Sequence, residues 1–71
     1  MIEVFKTAVD GKAEAERLIR LLHITWSHLT VNVDLDDCDK VLRVESSTEI
    51  IAPQELIAYL KVHGFEIFIL E

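Results

Sequence analysis

The order βαββαβ, an α+β domain in which a four-stranded antiparallel sheet carries two helices on one face, is predicted by three observations. Two stretches repeat apolar residues at three- and four-residue steps, which is the helical period. Four short runs alternate apolar with polar residues, the period of a half-buried strand. Asp10-Gly11, Pro53 and Gly64 fall at the joins, where chain reversals and helix ends need them.

Residues 2–9 open as a strand rich in β-branched and aromatic side chains. Alternation puts Ile2 and Val4 on one face and Glu3, Phe5 and Thr7 on the other. Asp10 is the expected N-cap of a helix over 12–26, its carboxylate accepting a backbone N–H of the first turn. Ala15, Leu18, Leu22 and Trp26 form the stripe of that helix, widened by Ile19 and Leu21. Glu16 and Arg20 stand four residues apart on its other face, a pair of modest worth.

A connector over 27–30 leads to a hairpin. Val31, Val33 and Leu35 alternate with Asn32 and Asp34. The turn over 36–39 has no glycine, so a turn of four or more residues is expected rather than a two-residue one. Leu42 and Val44 share one face of the return strand, and Val41, Arg43 and Glu45 the other. A loop over 46–52 follows, with a short extended piece at Glu49-Ile50-Ile51. Pro53 suits the first helical position. The second helix runs to about His63 with Leu56, Ile57 and Leu60 as its stripe, and Gly64 is its left-handed stop. In the last strand Phe65, Ile67 and Ile69 face one way and Glu66, Phe68 and Leu70 the other.

Two βα units with right-handed crossovers close these pieces into a ferredoxin-like sandwich of strand order 4-1-3-2. All of residues 1–71 make one domain. Phe5, Phe68, Leu70 and Val41 are expected on the sheet face that the helices leave open, and Phe5, Phe68 and Leu70 form a candidate interaction surface.

Charge and composition narrow the partners. The net charge of −6 argues against nucleic acid and against an anionic membrane surface, since both select clustered Lys and Arg. No apolar run reaches the ~20 residues of a membrane span. No basic segment followed by an apolar one suggests a secretory leader. A single cysteine forms no internal disulfide, which fits a reducing cytoplasm. With 51% hydrophobic residues in so short a chain, either little apolar surface is wasted or some of it is buried against a partner.

From Val31 onward the chain resembles the heavy-metal-associated domain of copper chaperones and metal-transport ATPases. The likeness rests on Val31-x-Val33-Asp34-Leu35 and on Pro53-x-Glu55-Leu56-Ile57-x-x-Leu60-x-x-x-Gly64-Phe65. That family binds soft metal ions through a Met-x-Cys-x-x-Cys segment after its first strand. Here the segment falls on Val9-Asp10-Gly11-Lys12-Ala13-Glu14, with Gly11 and Glu14 about where the two thiolates belong. The resemblance therefore implies the fold without the metal site. Acylphosphatases share the element order, but their phosphate loop needs an Arg where this chain has Asp10-Gly11-Lys12.

Cys38 is the residue with soft-ligand potential. The topology brings Asp10, Cys38, Asp39 and His63 to one pole, so Cys38, Asp39 and His63 are weak candidates for a zinc site. Two intervening strand spacings, roughly 10 Å, separate the hairpin from His63. Asp36, Asp37 and Asp39 oppose thiolate formation at Cys38, which needs cationic neighbours. The acidic turn lacks the glycine and closing Glu of a calcium loop. His23, His28 and His63 share no motif, and His63 suits a helix C-terminus. No nucleophile–base pair supports an enzyme, and no cofactor is expected. The expected function is a small cytoplasmic binding module that self-associates through its sheet as a homodimer or binds another protein. The alternative is a metal-homeostasis protein with an atypical site using Cys38.

Overall fold

The computed structural model describes residues 1–36, 40–48 and 50–69. It is an α+β fold of one antiparallel sheet and two helices. The elements are β1 (Ile2–Thr7), α1 (Lys12–Thr25), β2 (Thr30–Asp34), β3 (Val41–Glu45), α2 (Pro53–Val62) and β4 (Ile67–Ile69). The sheet runs β2-β3-β1-β4, which is 4-1-3-2 from the other edge. All three pairings are antiparallel.

The register sorts every strand side chain to a face. Phe5 lies opposite Leu42 on one side and Ile69 on the other, and Val44 lies between Glu3 and Val31. Leu42, Val44, Phe5, Thr7 and Ile67 are buried, and they share one face. Ala15, Leu18 and Leu22 of α1 and Leu56 and Leu60 of α2 pack into the same core. The stripes expected on both helices are the buried ones, with Ile19, Leu21, Ile57 and Trp26 at the margins. The opposite sheet face carries Ile2, Val4 and Lys6, Val41, Arg43 and Glu45, and Thr30, Asn32 and Asp34, with Phe68 beside Lys6.

This register corrects the face of Phe5. It is 0% exposed and belongs to the core, not to the open face. The alternation within β1 is as expected, but each set mixes apolar with polar residues, Ile2, Val4 and Lys6 against Glu3, Phe5 and Thr7, so alternation alone does not say which one the helices cover. Pairing decides it. Phe5 sits across from Leu42 and Ile69, whereas Phe68 sits across from Lys6. Phe5 and Phe68 therefore point to opposite faces.

The helix ends show where local chemistry sets the boundaries. The N-cap of α1 is Gly11 and not Asp10, with a backbone (φ 113°) that L side chains rarely adopt. No side chain caps this end. Glu14 instead reaches back, and its Oε2 accepts the Asp10 N–H at 3.1 Å, close to the reciprocal half of a capping box. At the end of α2, Gly64 N–H donates to Lys61 O at 3.0 Å and Phe65 N–H to Leu60 O at 2.9 Å. That is a Schellman end, with Gly64 left-handed (φ 90°) and Phe65 and Leu60 both buried.

Two contacts lock the helices and strand ends. Tyr59 OH donates to Leu21 O at 2.8 Å, and its ring meets Trp26 edge-on at 5.2 Å. Thr7 donates twice to Lys40 O, by its N–H at 3.2 Å and its hydroxyl at 2.7 Å. The end of β1 is thus tied to the return arm of the hairpin, satisfying a buried hydroxyl.

Candidate functional site

The pole where β1 ends and β4 begins gathers some of the residues expected there. Asp10 is exposed, and Glu14 accepts the Asp10 N–H. His63 is exposed, its ring tilted on Tyr59 at 4.8 Å. Among the described residues no group of three His, Cys, Asp or Glu side chains is placed to hold a metal ion. Cys38 and Asp39 lie outside the described residues, as does Leu70 of the expected interaction surface.

The feature that remains is the β4 side of the sheet. β4 is an edge strand, so one row of its backbone groups has no strand beyond it among the described residues. The direction of that row follows from two hydrogen bonds. Thr7 N–H donates toward β3, to Lys40 O, and Ala8 N–H donates toward β4, to Glu66 O at 3.3 Å. Antiparallel partners alternate between hydrogen-bonded and non-hydrogen-bonded pairs. Phe68, opposite Lys6, therefore turns its backbone groups to β1. Ile67 and Ile69 turn theirs to the outer edge.

Side chains follow the same geometry. Phe68 is 55% exposed on the open face, and Ile69 is 48% exposed although it points to the helix side. An open groove of ≈ 700 Å³ runs along this edge, lined by Ile57 and Lys61 of α2 and by Phe65, Glu66 and the β4 side chains. Across the open face, polar residues collect toward β2, in Thr30, Asn32 and Asp34. Apolar ones collect toward β1 and β4, in Ile2, Val4 and Phe68. Arg43 pairs with Glu45 on this face at 2.8 Å.

Of the expected surface, Phe68 is where it was placed and Phe5 is not. Ile69 and the groove were missed. Period-2 alternation assigns Ile69 to the covered face. Its exposure comes from the end of a three-residue edge strand, which only the strand order reveals. A second open groove, ≈ 480 Å³, lies between α1 and the other edge and is lined by Lys12, Glu16, Asn32, Asp34 and Asp36 among others. Among the described residues no helix is long and apolar enough to cross a membrane. Compared with known proteins, the chain matches no family model, no curated protein and no solved structure.

Proposed function

We propose that this chain is a small interaction module that binds protein through the β4 side of its sheet. The observation that carries the reading is the pair Phe68 and Ile69, each about half exposed on a strand with no further strand beyond it among the described residues. Exposed apolar side chains beside an unpaired strand edge are the two parts of strand-addition binding: backbone bonds for affinity, and pockets for alternate side chains. The element order and strand order support a ferredoxin-like sandwich. They also support kinship with heavy-metal-associated domains, here with Gly11 and Glu14 in place of the thiolates. The single cysteine supports a cytoplasmic setting.

The test is capture from extracts of cells that express the chain, with immobilised wild type and immobilised Phe68→Lys. Phe68 is exposed, so the substitution leaves the core intact. Wild type should retain a protein, either another chain or a further copy of this one, that the variant releases. Equal retention by both, or none by wild type, would overturn the reading.

A further inference from the structure

We propose that the occupant of the β4 edge is a second copy of this chain, joined by antiparallel β4–β4 pairing about a two-fold axis at Phe68. This rests on the interaction-module reading and specifies its partner, its register and its symmetry.

The register comes from the backbone. Only Ile67 and Ile69 of β4 direct N–H and C=O groups outward. A two-fold at Phe68 sets Ile67 against Ile69 of the second copy, and Ile69 against its Ile67. Each of these pairs then exchanges both backbone hydrogen bonds. A two-fold at Ile67 or at Ile69 would leave one of the two outward residues facing a position beyond the strand. The Phe68 axis therefore satisfies the whole outward row. Such a contact is isologous and closed, so it stops at a dimer with one continuous sheet.

The side chains are self-complementary in that register. Phe68 meets its own copy in a non-hydrogen-bonded pair, the closer of the two antiparallel spacings, on the open face. Ile67 and Ile69 meet on the helix side, beside the groove that Ile57 and Phe65 line. α2 packs over β4, so joining two edges brings the second α2 alongside and extends the contact past the strands.

Charge selects this edge over the other. Each copy carries −6, and two copies repel unless they meet where charge is low. β4 has no ionisable residue, and its groove holds one cation and one anion, Lys61 and Glu66. The other edge strand, β2, carries Asp34 with Asp36 beyond it, so pairing there brings carboxylates of both copies into the contact. A three-residue strand pair is a small contact. The dissociation constant is therefore expected on the order of micromolar, at the weak end of specific interfaces.

The test uses the full chain. Light scattering and sedimentation over a concentration series should show a shift from 8.1 kDa toward twice that mass. Ile69→Pro removes an outward N–H and no bond to β1, and an edge strand tolerates proline there. It should stay at the monomer mass with an unchanged circular dichroism spectrum. Should it unfold, Phe68→Lys, which sets two cations at the axis, gives the same readout. Asn32→Lys, on the β2 side of the open face, should dimerise like wild type. In the dimer the Ile67 and Ile69 amides should exchange at least tenfold more slowly than in the dilute monomer, while the Phe68 amide, already bonded to β1, should not change. A wild type that remains monomeric at millimolar concentration overturns the second-copy assignment, and capture of a different protein then separates that failure from failure of the module reading. A dimer that survives both Ile69→Pro and Phe68→Lys overturns the β4 site.

Discussion

Phe5 and Phe68 lie on adjacent strands and meet opposite fates. Phe5 fills the centre of the core against Leu42, and Phe68 stands half exposed beside Lys6. Truncating a buried Phe costs about 3–5 kcal/mol. At ~0.05–0.15 kcal/mol per residue, a chain of this length holds roughly 4–10 kcal/mol in all. Phe5→Ala is therefore expected to remove from about a third to all of that stability, measured by urea denaturation followed by circular dichroism. Phe68→Ala should shift the monomer by less than ~1 kcal/mol, as surface substitutions do. Equal losses for the two variants would contradict the register. Alternation makes the period of β1 legible in the sequence. It does not mark which of the two mixed sets is covered, because that depends on the partner strands. Phe68 was legible because its neighbours Ile67 and Ile69 belong to one period and it does not.

At the level of elements, the ends carry more information than the interiors. The end of α2 was legible from Gly64 alone, because a helix stop with positive φ favours glycine. Nothing lies within 4 Å of where a Gly64 Cβ would sit, so the cost of Gly64→Ala is backbone strain without a clash. That strain is about 1–2 kcal/mol, and thermal denaturation should show it as a lowered midpoint. The start of α1 was less legible. Asp10 and Gly11 are both good N-cap types, and what separates them is the backbone of Gly11 and the backward reach of Glu14. The tie between helices was not legible at all. Tyr59 finds Leu21 O only after both helices are packed, and Tyr59→Phe keeps the ring against Trp26 while leaving that half-buried carbonyl without its donor. Its expected cost is about 1 kcal/mol by urea denaturation, with the fold unchanged.

Across the whole molecule, the strand order β2-β3-β1-β4 decides which strands are edges. It also separates charge from apolar surface. The acidic residues Asp34 and Asp36 lie at the β2 side, and the uncharged β4 lies at the other. The extents of the chain are 30 × 25 × 18 Å. The Debye length is ~30 Å at 0.01 M salt and ~8 Å at 0.15 M. In dilute salt each copy of a β4-joined dimer therefore senses nearly all of its partner's −6 charge, and at 0.15 M little beyond the contact. Salt should then tighten the dimer, because it screens the long-range repulsion and has no opposite-charge pair across the strands to weaken. Lowering the pH toward 4.9 should act in the same direction by reducing the net charge. Sedimentation equilibrium at 0.01 and 0.15 M salt measures the sign. A dimer that loosens as salt rises would be held by opposite charges across the contact, and the uncharged β4 strands could not be what joins it.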